Sequence, residues 1–344
     1  MKAIVIHAAK DLRIEEREAQ APGPGEVAVA IQAGGICGSD LHYYNHGGFG
    51  TIRLKEPMIL GHEIAGTITA LGAGVSGLAV GNRVAVSPSK PCGICMYCQK
   101  GQQNQCLDMR FYGSAMRTPH IQGAFSQHLV AQSFQCHKVD DGVSINEAAF
   151  AEPFAVTLHA VNRAGSLLGK RVLVTGCGPI GALCIVAARA HGAAEIIATD
   201  VMAGVLAMAL KVGADRVINV AENPEELAAY SANKGYFDVM FEASGNERGL
   251  RSGIDVLKPR GVLMQLGLGG DVSIPQNLIV SKELEIRGSF RFHEEFALAV
   301  ELINKRRVDL RPLLTGIYPM ADATAAFEAA NDRSKSMKVQ LDFS

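Results

Sequence analysis

Two periodicities divide this chain. Over roughly the first 150 residues, apolar and polar positions alternate in short runs such as EVAVAIQ, IAGTITALG and NRVAV, separated by Gly and Pro turns. A period of two buries one face of a strand, so this region is predicted to be β-rich. From about Asn146 the pattern lengthens. INEAAFAEPFAVTLHAVNRAG predicts helix, with Pro153 near a helix start or break. A regular alternation follows. RVLVTG predicts a strand, PIGALCIVAARAHG a helix closed by Gly192, EIIATD a strand and VMAGVLAMALKVG a helix. RVINV, FDVMFEASG and GVLMQLG predict further strands with helices between them. Strands alternating with helices imply parallel βαβ units. The last 55 or so residues, with the strand ELEIRGSF, the helix EEFALAVELINKR and the strand KVQLDF, are expected to close back on the first region. That makes a discontinuous domain of 1–152 with 290–344, around a second domain at 153–289.

A length of 344 residues suits two domains, and 48% hydrophobic residues suffice for large cores. The net charge of −1 leaves no electrostatic footprint for nucleic acid or an anionic membrane. The amino terminus, MKAIVIHAAKDLRIEE, lacks a signal-peptide pattern, and no apolar run reaches membrane-spanning length. Cys37, Cys136, Cys177 and Cys184 show no pairing pattern, and a reducing cytoplasm is the expected compartment.

Chemistry enters with Cys92, Cys95, Cys98 and Cys106 in PCGICMYCQKGQQNQC. Paired C-x-x-C steps read as tetrahedral zinc ligands in preference to buried thiols or two disulfides. Four thiolates leave no open position, so this zinc is expected to be structural. A second signal is the G-x-G-x-x-G of Gly176, Cys177, Gly178, Pro179, Ile180 and Gly181. It follows a predicted strand and opens a predicted helix, the context that makes it a dinucleotide fingerprint. Asp200 ends the next predicted strand, 19 residues beyond Gly181. A carboxylate there accepts from the adenosine ribose hydroxyls and repels a 2′-phosphate, which favours NAD while leaving NADP possible. The plainer role for Asp200 is a helix N-cap.

Three segments offer a second set of metal ligands: GGICGSDLHYY with Cys37, Ser39, Asp40 and His42, LGHEIAG with His62 and Glu63, and FAEPFAV with Glu152. A thiolate, an imidazole and a carboxylate suit a catalytic zinc that keeps a site for substrate. Successive strand residues face opposite ways, so His62 and Glu63 can share a metal only if Gly61 opens a turn.

These segments, the four-cysteine loop and the fingerprint occur in the order seen in zinc-dependent medium-chain dehydrogenases, which the chain resembles over essentially its whole length. The resemblance implies an α/β protein with a GroES-like β-rich catalytic domain, a Rossmann domain with a doubly wound parallel sheet, and an active site in the cleft between them. It assigns Cys37 and His62 as zinc ligands, with Glu63 or Glu152 supplying the carboxylate, and it does not rank the two. The activity implied is alcohol oxidation by hydride transfer to NAD or NADP, with zinc as the Lewis acid. Ser39 and His42 are expected to relay the released proton. The substrate class implied is a sugar acid or polyol. Arg110 and Arg291 are candidates for a substrate carboxylate, and Tyr43 is a further substrate contact. Sorbitol-type polyol and threonine dehydrogenases share every one of these motifs. A non-catalytic relative or a zinc-free quinone reductase would lack Cys37, His62 or the glutamates. The resemblance also implies a homo-oligomer, a tetramer or dimer.

Overall fold

The computed structural model describes residues 1–344, built around two main sheets. One sheet is mostly antiparallel and has seven strands. Its path runs Cys136–Lys138, Arg83–Val86, Glu63–Leu71, Glu26–Gly35, Lys338–Asp342, Leu314–Pro319, and His128–Gln132 also pairs with Glu26–Gly35. The alternating runs form these strands because each presents apolar residues to a shared core. Val27, Val29, Ile31, Ile64, Ile68, Val84 and Val86 all pack there, closed by Phe125, Phe327 and Leu341. The last strand, Lys338–Asp342, lies antiparallel to Glu26–Gly35, so the two ends of the chain share one sheet.

The other sheet has six parallel strands in the order Arg216–Asn219, Glu195–Asp200, Arg171–Thr175, Phe237–Glu242, Leu257–Gln265, Glu285–Gly288. This is the doubly wound order 3-2-1-4-5-6, whose reversal lies between Arg171–Thr175 and Phe237–Glu242. Helix Pro179–Ala190 has Pro at its first position and buries Gly181 through Ala188 continuously, as a helix enclosed by the sheet and other helices must.

Two expectations differ from the structure. The strand in ELEIRGSF was expected to begin the returning tail, yet Glu285–Gly288 is the sixth strand of the parallel sheet. The helix Glu295–Asn304 then packs on helix Ala151–Ala164 within the core of the parallel-sheet half. Apolar periodicity specifies a strand but not which sheet receives it. The predicted helix from Asn146 is two helices, Ile145–Ala148 and Ala151–Ala164, and Pro153 sits in the first turn of the second, where its missing N–H costs nothing. No helix is long and apolar enough to cross a membrane.

Candidate active site

Cys37 is the N-cap of helix Gly38–His46, placed there by the end of strand Glu26–Gly35. Its N–H donates to the Asp40 carboxylate at 3.0 Å, and Gly61 N–H donates to the same side chain at 3.2 Å. One buried carboxylate thus ties two separate segments together. Gly61 has φ +92°, and a Cβ there would fall 2.0 Å from the Phe125 ring. That left-handed turn lets His62 and Glu63 face the same space. The donor atoms of Cys37, His62 and Glu63 all lie within 4.8 Å of one another. His62 Nδ1 is 3.9 Å from Asp40 Oδ1, and this buried nitrogen has no hydrogen-bond partner. Burial, and then the charge of Glu63, push the Cys37 thiol up to about 12. An orphaned imidazole nitrogen beside a thiol that resists ionisation is a donor set a divalent cation would satisfy. Zinc fits these residues.

Glu63 has a partner that sequence reasoning missed. Lys338 Nζ lies 2.7 and 2.8 Å from its two carboxylate oxygens and 3.3 Å from the Ile36 carbonyl oxygen. Both side chains are at least 96% buried. Burial alone would discharge the lysine, but Glu63 and then Cys37 reverse that and raise its pKa. No local signal marks Lys338, because its partner is 275 residues away and reaches it only through the sheet. Glu152, on helix Ala151–Ala164, is buried but lies outside the 4.8 Å group. Burial raises its carboxyl to about 8, against the pull of His62 and with the push of Glu63.

Ser39 lies against the Cys37 thiol, while His42 sits exposed on the same helix, its ring 5.6 Å from Phe49. Burial and then His46 lower the His42 pKa. Tyr43 is buried and its hydroxyl oxygen accepts the Ala115 N–H at 3.0 Å. Arg291 lies close by with φ +55°, its guanidinium carbon 4.1 Å from the Phe111 ring centre and 4.9 Å from that of Phe290. Phe111 in turn packs on His62 at 5.4 Å between ring centres. Burial lowers the arginine pKa to about 10, while the nearby Glu152 and Tyr43 resist that fall. Arg291 and Phe111 line a cavity of about 380 Å³ that Cys106, Leu107 and Met116 also border. Arg110 does not. It is exposed on the two-residue strand whose next residue, Phe111, faces inward, so alternation removes it from the site.

A second network missed in the sequence holds this corner. Asn104, from the four-cysteine loop, donates to the Phe290 carbonyl oxygen at 2.9 Å. Glu295 accepts from His293 N–H at 3.0 Å and from Asn162 at 3.1 Å, with His159 Nδ1 at 2.9 Å. The loop itself is compact. All eight cysteines are free of disulfides. The sulfurs of Cys92 and Cys98, Cys95 and Cys98, and Cys95 and Cys106 stand 4.0, 3.6 and 4.0 Å apart. Tetrahedral zinc with bonds of about 2.3 Å requires about 3.8 Å between sulfurs. The Cys106 sulfur accepts N–H bonds from Cys92 at 3.2 Å and Asp108 at 3.3 Å.

The nucleotide loop opens helix Pro179–Ala190. Gly176 has φ +82°, and a Cβ on Gly181 would fall 1.8 Å from the Gly176 carbonyl oxygen. Only glycine allows that turn and that approach. Ile180 follows Pro179 in the first helical turn, partly buried against the core. The Asp200 carboxylate receives N–H bonds from Cys177 and Val201, both at 2.7 Å, and from Met202 at 3.1 Å. Asp200 is not the helix N-cap expected as its plainer role. That position is Met202, with no side-chain cap, and the carboxylate instead holds the turn before the helix while lying at the fingerprint.

Comparison with known proteins agrees with this construction. The family described as Alcohol dehydrogenase GroES-like domain matches residues 23–141, and Zinc-binding dehydrogenase matches 179–305. L-idonate 5-dehydrogenase (NAD(P)(+)) of Escherichia coli strain K12 is 43% identical over 316 residues, 92% of this chain and 91% of the relative. The crystal structure of L-idonate 5-dehydrogenase from Escherichia coli superposes with a TM-score of 0.95 at 40% identity, covering 99% of this chain and 97% of that one. Sorbitol dehydrogenase of Gallus gallus is 36% identical over 343 residues, 98% of this chain and 95% of the relative. With a thiol–imidazole–carboxylate cluster in one half and a dinucleotide fold in the other, the chain belongs to the zinc-dependent medium-chain dehydrogenases, oxidoreductases that use zinc and a nicotinamide dinucleotide.

Proposed function

We propose that this enzyme oxidises L-idonate at C5 to 5-keto-D-gluconate, reducing NAD, and NADP less readily. The segments GGICGSDLHYY, VSPSKPCGICMYC, NQCLDMRFYGSAM, GYFDVMFEASG and RGSFRF resemble L-idonate 5-dehydrogenase in particular. The observation that carries the reading is Arg291. Its guanidinium is half-buried, stacked on Phe111, 3.2 Å from the Met116 sulfur and free of any carboxylate ion pair. A sugar acid supplies the missing anion, and the planar fork takes a carboxylate in two parallel bonds.

Zinc held by Cys37, His62 and either Glu63 or Glu152 would supply Lewis-acid activation of the substrate hydroxyl. The chain's own residues do the rest. Asp40 fixes the Cys37 and Gly61 backbones and faces His62. Lys338 neutralises Glu63, so the thiolate is left as the main protein charge at the metal. Ser39 stands next to that centre, and His42, three residues on and on the same helical face, takes the proton to solvent. Tyr43 and Arg291 orient the sugar acid. The fingerprint residues Gly176, Gly178, Pro179, Ile180 and Gly181 carry the pyrophosphate, and Asp200 the adenosine ribose.

The expected limits, 1–152 with 290–344 for the catalytic domain and 153–289 for the dinucleotide domain, shift in this reading. Helix Glu295–Asn304 packs in the dinucleotide half, and the chain returns to the catalytic half with strands Leu314–Pro319 and Lys338–Asp342. A homo-oligomer and a cytoplasmic home, where free thiols persist, complete the proposal.

The test is NADH appearance at 340 nm with zinc-loaded enzyme, comparing kcat/KM for L-idonate and sorbitol. Strong preference for L-idonate is the expected result. Preference for sorbitol would remove the sugar-acid reading and the role of Arg291 together.

A further inference from the structure

The segment between helix Ala323–Asn331 and strand Lys338–Asp342 belongs by its strand to the antiparallel sheet, yet it reaches the nucleotide loop of the other half. A Cβ added to Gly178 would lie 3.0 Å from Arg333 Nη2 and 3.9 Å from its Cζ. A Cβ on Gly204, in the helix after Asp200, would lie 3.3 Å from the Ser334 carbonyl oxygen. Gly178 is the second glycine of the fingerprint, the one whose missing side chain lets a pyrophosphate approach the backbone. The guanidinium therefore stands at the rim of the space that this glycine keeps open.

Nothing in the protein balances that charge. The neighbouring carboxylate, Asp332, is committed to the Ser334 hydroxyl and amide and to Lys335 at 3.3 Å. Arg333 itself is exposed and forms no ion pair. It faces the amino-terminal end of helix Pro179–Ala190, whose free N–H groups and positive dipole end repel a cation. An anion lying between the two would convert that repulsion into attraction from both sides.

We propose that Arg333 binds the pyrophosphate of the nicotinamide dinucleotide, contributed across the cleft by the half of the molecule that holds the metal site. The backbone of Gly178 and the helix start would take one side of the diphosphate, and the planar fork of Arg333 the other. The 2′-phosphate of NADP is the weaker match. It would lie near Asp200, where this segment presents the Ser334 carbonyl oxygen, an acceptor that offers a phosphate nothing.

The proposal rests on the dinucleotide reading of residues Gly176–Gly181, and the experiment separates the two. Binding of NADH to the zinc-loaded enzyme is followed by nicotinamide fluorescence, with ADP-ribose as competitor and NADPH in parallel. Arg333→Ala should raise the Kd for NADH and for ADP-ribose by the same factor, about tenfold, the loss of one charge-assisted pair. The salt dependence of binding should fall at the same time. Arg333→Lys should recover part of the affinity, and Lys335→Ala, one exposed cation along, should leave it unchanged. An Arg333→Ala Kd within about twofold of wild type would overturn the proposal. So would a loss confined to NADPH. Wild-type protein that bound no NADH would instead overturn the dinucleotide reading itself.

Discussion

The thiols of Cys92, Cys95, Cys98 and Cys106 come from 15 consecutive residues, whereas Cys37, His62 and Glu63 meet only where a helix N-cap, a glycine turn and a strand end converge. The first cluster is finished locally. Its sulfurs are spaced for a metal and accept N–H bonds from their own loop. The second depends on distant partners, Asp40 to hold its segments together and Lys338 to balance Glu63. A closed site can be encoded as a loop, because its ligands satisfy one another. A site that must leave room for substrate cannot be satisfied by its own ligands, so it draws on the rest of the fold.

Substitutions on each side test that contrast. Cys37→Ala should lower kcat about a thousandfold or more, the loss of several kcal/mol of charge stabilisation, while NADH affinity measured by fluorescence stays near wild type. Retained turnover would mean that the cluster is not catalytic.

Removing Lys338 leaves Glu63 buried and unpaired. Lys338→Met should cost about 3–5 kcal/mol in urea unfolding. The double variant Lys338→Met with Glu63→Gln should recover much of that. Additive losses in the double-mutant cycle would show that the two side chains are not coupled.

Cys95→Ser, on the other side of the comparison, should release zinc from the loop in metal analysis and lower Tm. Substrate affinity should then also suffer, because Asn104 of that loop holds the Phe290 carbonyl beside Arg291. An unchanged KM in the cysteine variant would show the two clusters to be independent.

Arg291→Ala should raise KM for L-idonate about tenfold or more, with little change in NADH binding. An equal loss in both would remove its assignment to the substrate.

The smallest effect concerns acid stability. Burial opposes ionisation of Glu295, but His159, the His293 N–H and Asn162 together hold its carboxyl down at about 2. An unfolded glutamate titrates near 4.3. The folded value is the lower one, so the stabilisation is present above about 4.3 and is lost as pH falls toward 2. The stability difference between wild type and Glu295→Gln should therefore shrink across that window in denaturant titrations. A difference independent of pH would assign the effect to packing.

Much of the fold is legible in the chain. Alternation in EVAVAIQ and IAGTITALG matches strands Glu26–Gly35 and Glu63–Leu71, because strands with a buried face must repeat every two residues. The βαβ rhythm after RVLVTG matches a parallel sheet for the same kind of reason. What periodicity does not carry is the address of an element. Glu285–Gly288 looks the same whether it joins one sheet or the other. Strand Leu314–Pro319 and helix Ala323–Asn331 were not anticipated, since the strand has no fully buried residue and the helix buries only two alanines and Phe327, which leaves a faint pattern.

By itself the sequence determined what can be written in short spacings: four thiols for a closed metal loop, glycines for a turn against a phosphate, a carboxylate at the next strand end. These act over distances that local backbone geometry sets. The tertiary structure alone decided which charges meet across long separations. It brought Lys338 to Glu63, placed Arg291 at the cavity beside Phe111 and Arg110 outside it, and brought Arg333 to Gly178. A charged side chain looks the same in sequence whether solvent or a buried counter-charge awaits it, and only packing makes that distinction.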